Sequence, residues 1–270
     1  MAGLTLFVHL YYPGSWQILE KKCSGAFRQA RQIILTACHD DVLDETLPGA
    51  PERCSSEGQT SAVGGNWAIL PDETNSRTLS SASLPGIIRL KVPNKGKDIG
   101  GKLLALCYYL RCCQKTKYIG LLHDKVSPQT INASYWSDTL YSPFSDQGLR
   151  KVLDKLDNDS RIGVVGARRF LKNEFDHSKK NFETTNDTLL QELIKEYDLH
   201  CRRYDFIAGT IFVCRSAIME EFFSRHPPLE ARARLEEGNV MDLEYGTYTH
   251  TWERLFCFIA EHQGYTIEGI

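Results

Sequence analysis

The chain has 270 residues, with 32 Lys and Arg against 34 Asp and Glu and a formal net charge of -2. This balance excludes a dedicated nucleic-acid binder and a polybasic membrane binder. At 42% hydrophobic and 24% charged residues, the composition is that of an ordinary globular protein, long enough to bury a full core as one large domain or two small ones.

The chain opens with an apolar run, Leu4 to Leu10, that ends at Tyr11-Tyr12-Pro13-Gly14; Ser15 to Cys23 then reads as a short helix. A second apolar run, Gln32 to Cys38, ends in His39-Asp40-Asp41 and predicts another strand with polar groups at its end. From about Asp44 to Gly86 the texture changes to Ser, Thr, Gly, Pro and Asn, relieved only by Trp67-Ala68-Ile69-Leu70. A connection of that length exceeds ordinary loops, so it is expected to be a flexible insertion or lid. Beyond it the pattern predicts strands at Ile87–Val92, Lys117–Leu122, Arg161–Val165, Phe206–Val213 and Tyr265–Glu268. Helices are expected at Gly100–Gln114, Gln147–Asp157, Asp187–Tyr197, Ser216–Phe223 and Thr251–Gln263. Strands alternating with helices imply an α/β fold around a mostly parallel sheet.

No stretch approaches the roughly 20 apolar residues that cross a bilayer, and the first fourteen residues lack the basic start and small-residue cleavage site of a signal peptide. A cytoplasmic protein is expected, at most peripheral on the cytoplasmic face of a membrane. The nine cysteines are odd in number, form no C-x-x-C pair and sit mostly in apolar runs, which predicts buried reduced thiols.

Three segments carry chemistry. Ile119-Gly120-Leu121-Leu122-His123-Asp124-Lys125 is an apolar strand running into three ionisable residues. At the carboxyl edge of a sheet such a carboxylate is placed for a divalent metal and the lysine for a diphosphate; alone, the triplet reads more readily as the polar start of a loop. Gly96, Gly101 and Lys102 almost spell a phosphate-binding loop, but Leu103 stands where that motif needs a hydroxyl for magnesium. An ordinary glycine turn capped by Asp98 is the plainer reading. In Thr249-His250-Thr251-Trp252-Glu253-Arg254, Glu253 at a helix start is either a complement to the helix dipole or a general base facing a cleft. Taken alone, the dipole reading is favoured. The dipeptides His39-Asp40 and His123-Asp124 follow strand-like runs, which argues against a helical His-Asp metal phosphohydrolase.

Taken in order, Pro-Asn-Lys-Gly-Lys-Asp-Ile-Gly-Gly, Leu-Leu-His-Asp-Lys-x-Ser, Arg-Ile-Gly-Val-Val-Gly, Phe-Ile-Ala-Gly-Thr-Ile-Phe and His-Thr-Trp-Glu-Arg-Leu-Phe resemble the rhamnan synthesis protein F family. The resemblance covers most of residues 4–43 and 87–268 and omits the insertion. The layout is also similar to GT-A glycosyltransferases of the family 2 type, which carry an Asn-x-Gly turn, an Asp-x-Asp about thirty residues later and a Glu-Asp pair about a dozen residues before a Gly-aromatic step. Here Asp124 stands thirty positions after Asn94 and Gly264 eleven positions after Glu253, although His123 and Lys125 stand where the outer carboxylates would be.

The resemblance implies a single GT-A-like, Rossmann-like domain over residues 1–270, acting as an inverting hexosyltransferase in cell-surface polysaccharide biosynthesis. Its donor would be a nucleotide-diphosphate sugar, rhamnose or another deoxyhexose among the candidates. Its acceptor would be a glycan or lipid-linked glycan. By the same carry-over, His9, Tyr11, Asn94, Gly96, Asp98, His123, Asp124 and Lys125 would hold the donor. Gly209, Thr210 and Trp252 would face the acceptor, and Glu253 would be the general base. Either Asp124 holds Mg2+ or Mn2+ with the diphosphate of the donor as co-ligand, or Lys125 alone neutralises the leaving diphosphate. The absent carboxylates and the end at Ile270 keep open a catalytically silent glycan-binding or scaffolding relative and the need for a partner glycosyltransferase. A P-loop-like nucleotidase stands third.

Overall fold

Leu4–Leu10 forms a strand (β1) with every residue buried, which marks it as central to a sheet covered on both faces. The computed structural model describes residues 3–46, 86–125, 133–242 and 245–270. The insertion, with Trp67 to Leu70, falls almost wholly outside the described residues, as do Cys54 and Ser127.

After β1 come helices α1 (Ser15–Lys22) and α2 (Ser24–Gln29), strand β2 (Ala30–Ala37), a single helical turn α3 (Asp40–Asp44), strand β3 (Gly86–Lys91), helix α4 (Lys97–Cys112) and strand β4 (Tyr118–His123). Helices α5 (Ala133–Tyr141) and α6 (Asp146–Asn158) lead to β5 (Ile162–Gly166). The short strands β6 (Leu171–Asn173), β7 (Phe175–Asp176) and β8 (Asn181–Phe182) precede α7 (Asp187–Glu196). The chain continues through β9 (Asp205–Ile207), β10 (Phe212–Arg215), α8 (Ser216–Arg225), α9 (Pro228–Ala233), α10 (Tyr248–His262) and β11 (Thr266–Gly269).

Seven strands make the central sheet in the order β11-β5-β10-β4-β1-β2-β3. β10 runs antiparallel to both neighbours and the other pairings are parallel. The expected mixed α/β, Rossmann-like architecture is therefore present. Two two-stranded ribbons, β6 with β9 and β7 with β8, complete the strands among the described residues. None of the described helices is long and apolar enough to cross a membrane, and the eight described cysteines are free thiols.

Several boundaries differ from the sequence reading for definable reasons. The expected strand Phe206–Val213 is broken into β9 and β10 because Gly209 and Thr210 both adopt positive φ, 82° and 48°, which no strand accommodates. The last helix begins at Tyr248, where the Thr247 side chain accepts a hydrogen bond from the His250 amide; this is an N-cap. Glu253 thus lies in the second turn, beyond the reach of a first-turn dipole role. Helices α2, α3, α5 and α9 and the short strands β6, β7 and β8 were not expected from the pattern.

α4 fixes the site from below. Its face of Ile99, Leu103, Leu106 and Tyr109 is buried, and Gly101 brings its backbone against β1. A Cβ at Gly101 would lie 2.1 Å from His9 Nδ1 and 2.8 Å from Thr36 Oγ1. Gly101→Ala is accordingly expected to destabilise the protein by about 1–3 kcal/mol through overpacking, despite the better helix propensity of alanine. Urea denaturation of the two proteins measures it.

Candidate functional site

β1 is followed by β2 on one side and flanked by β4 on the other. The carboxyl ends of strands at such a reversal of order form the ligand crevice of open α/β sheets. Register places His9, the penultimate residue of β1, beside Thr36 of β2 and His123 of β4. The turn before β10 brings Thr210 to the same edge, where it bonds the helix beneath. A cleft of about 350 Å3 opens there, within the range of small-molecule sites. From the expected residues it is lined by His9, Tyr11, Asp98, His123, Asp124, Lys125, Gly209, Thr210 and Glu253. Tyr12, Lys97, Ile99, Asn239, Met241, Thr249 and His250 also line it; Lys97, Ile99, Thr249 and His250 stand inside the quoted motifs without having been singled out, and Asn239 and Met241 stand in no motif at all.

The floor of the cleft is organised by Lys102, whose side chain is 1% exposed. Its ammonium donates to Asp98 Oδ2 at 2.7 Å, to Thr210 Oγ1 at 2.6 Å and to the Thr210 carbonyl at 3.0 Å, and lies 2.9 Å from His123 Nδ1. The Thr210 hydroxyl donates to Asp98 Oδ2 at 2.8 Å. Burial alone would raise the Asp98 pKa, but the adjoining Lys102 ammonium and hydrogen bonds from Lys102 and Thr210 hold the carboxyl well below its ordinary range. Burial lowers the pKa of Lys102, opposed by Asp98, and pushes His123 well below the usual histidine value. A β-branched residue at positive φ costs about 1–3 kcal/mol, and these bonds hold Thr210 there. With its ammonium enclosed in this way, Lys102 is not the exposed lysine of a phosphate-binding loop.

His9 is 2% exposed. Its Nδ1 lies 3.0 Å from Thr36 Oγ1, while its Nε2 is buried without a partner among the described residues.

Asp124 closes the loop that follows β1. Its Oδ2 accepts from the amides of Tyr11 (2.9 Å) and Tyr12 (2.7 Å) and from the Ser15 hydroxyl (2.6 Å). Burial raises its pKa, and these three bonds oppose the rise. Among the described residues no group of three or more His, Cys, Asp or Glu side chains gathers around a common point that could hold a metal ion. Asp124 therefore belongs to no cage of three protein ligands among the described residues, and one oxygen of its carboxylate, Oδ2, serves as a clamp on the backbone.

Glu253 reaches the cleft from α10. One carboxylate oxygen accepts from the Gly209 amide and the other from Arg254 at 3.2 Å. Arg254 is held in turn by both oxygens of Glu174, at 2.9 and 3.0 Å. A carboxylate with two acceptor interactions filled retains lone pairs for a further partner.

Three expected residues stand elsewhere. Trp252 is 1% exposed and packs on Tyr197, Phe223 and Phe256; a residue adjacent to Glu253 on a helix points about 100° away from it, here into the core. Asn94 donates to Asn239 at 3.1 Å, and its carbonyl accepts from the Gly238 amide. Gly96, at φ 74°, donates its amide to the Glu236 carbonyl. Both therefore brace the segment 235–239 and do not line the cleft.

No protein-family model matches the chain, and no curated protein matches it.

Burial lowers the His9 pKa from 6.5 to about 4, so between those pH values the unfolded chain binds a proton that the folded ring refuses. Stability then falls as pH drops through that window. His9→Asn is expected to lose about 2 kcal/mol less than wild type between pH 7 and pH 5, measured by urea unfolding at both pH values.

Proposed function

We propose that the chain is a glycosyltransferase that moves a sugar from a nucleotide-diphosphate donor to a glycan hydroxyl with inversion. The observation that carries this reading is the convergence of nine of the twelve residues singled out in the sequence, from five separated segments, on one cleft at the strand-order reversal. The sugar identity, a deoxyhexose such as rhamnose, comes from the family resemblance alone, as does the assignment to cell-surface polysaccharide assembly on the cytoplasmic side.

The chemistry needs charge compensation at one end and a base at the other. The oxygen of the acceptor attacks the anomeric carbon as the bond from that carbon to the diphosphate breaks. The hydroxyl proton passes to Glu253, and the nucleoside diphosphate leaves with the bonding pair. Lys125 and Lys97, both lining the cleft, supply positive charge for the departing diphosphate. The Gly209 amide and Arg254 orient the Glu253 carboxylate, and a positioned general base contributes about 10²–10⁴ in rate.

Glu253→Gln is expected to keep nucleoside diphosphate affinity within about twofold and to lower transfer by about 10²-fold or more. Calorimetry against UDP, dTDP, GDP and CDP, followed by a transfer assay with the sugar of whichever base binds, checks both. Near wild-type turnover in the variant removes Glu253 from the mechanism. A nucleotide that binds without any transfer favours the silent glycan-binding relative.

A further inference from the structure

Among the described residues Lys102 is the one fully buried lysine, and a buried ammonium persists only where hydrogen-bonding partners surround it. Two of its partners, the Asp98 carboxylate and the Thr210 carbonyl, can only accept, so Nζ is the donor in this cluster. His123 Nδ1 sits 2.9 Å from the same ammonium. A proton on Nδ1 would point at a cationic nitrogen that has no lone pair to accept it, so Nδ1 presents its lone pair. A neutral imidazole then carries its proton on Nε2. That nitrogen takes no partner among the described residues; it is absent from the sealed, unpartnered atoms that include His9 Nε2, while the His123 side chain lines the cleft.

We infer that Lys102 is a positioning residue that fixes His123 as the Nε2–H tautomer, so that the floor of the cleft offers a neutral N–H donor to an oxygen of the diphosphate of the donor. The choice of diphosphate rests on the transferase reading above; the tautomer does not. Asp98 shows what Lys102 prevents. Its Oδ2 is 3.4 Å from His123 Nδ1, close enough to draw the ring proton to Nδ1 once the ammonium is gone. Nε2 would then turn a lone pair toward the ligand and repel an anionic oxygen. The same lysine holds both the carbonyl and the hydroxyl of Thr210. It thereby sets the turn whose preceding amide, that of Gly209, grips Glu253.

Long-range 1H–15N correlation NMR of the histidine side chains at pH 7 reads the tautomer directly, with the His123 signals assigned by their loss in His123→Asn. Protonated Nε2 beside bare Nδ1 is the expected result in wild type. Protonated Nδ1, or protons on both nitrogens, overturns the inference without reference to any nucleotide. Lys102→Met is expected to move the proton to Nδ1 and to weaken binding of the preferred nucleoside diphosphate at least tenfold. An unchanged tautomer in a folded variant overturns the role of Lys102. Should that variant not fold, titrating wild type with UDP, dTDP, GDP and CDP decides the contact. A bound nucleotide is expected to shift the His123 Nε2–H resonance, and one that binds without shifting it overturns the diphosphate contact alone. Failure of all four to bind overturns the transferase reading together with that contact, while the tautomer still stands or falls on the first spectrum.

Discussion

An ammonium group cannot be left alone in a protein interior, and the requirement to satisfy Lys102 draws three distant parts of this chain to one point. Asp98 comes from the first turn of α4, His123 from the end of β4 and Thr210 from the turn before β10. Each is also a wall of the cleft. The polar floor is thus a neutral, mutually bonded unit inserted between the hydrophobic core and the opening. Breaking such a unit by removing one member is far costlier than never having built it, which couples the shape of the cleft to the integrity of the fold around it. Even the strained backbone of Thr210 follows from this demand, because its carbonyl and hydroxyl are both committed to the lysine.

Much of this architecture was legible in the sequence. The all-buried run Leu4–Leu10 and the apolar strand ending at His123-Asp124-Lys125 declared themselves by composition alone, and adjacent parallel strands put their carboxyl ends on one edge. That logic suffices to bring His9, His123 and Asp124 together. Asp98 follows because the helix after β3 must pack beneath the same edge, where Gly101 removes the side chain that would collide with His9. Glu253 reaches the cleft from a helix far along the chain, and here the motif spacing supplied what periodicity could not.

The remainder was hidden for physical reasons. Lys102 reads in sequence as the lysine of an imperfect phosphate-binding loop, and beyond Asp98 one turn away its enclosure comes from partners more than twenty residues away in one case and more than a hundred in another. β9 and β10 looked like one strand because Phe206 to Val213 is apolar with a single Gly-Thr step; the hydrogen bonds that hold that step at positive φ are tertiary. Trp252 was placed beside Glu253 by adjacency, whereas helical geometry sends neighbours in different directions. Asn94 and Gly96 carry the resembled turn but use it to brace residues 235–239, a contact between segments that no local pattern announces. Asp124 was legible as a strand-end carboxylate, but its employment by the Tyr11 and Tyr12 amides was not.

That grip of Asp124 on the backbone has a consequence for how the cleft can change. Two of its three bonds go to main-chain N–H groups of Tyr11 and Tyr12, which every residue except proline possesses. The path of the loop is therefore independent of which side chains it displays, and the aromatic pair at its tip is free to diverge while the frame beneath stays constant. A single carboxylate just after β4 separates the part of the site that folding fixes from the part that can be retuned for a new ligand.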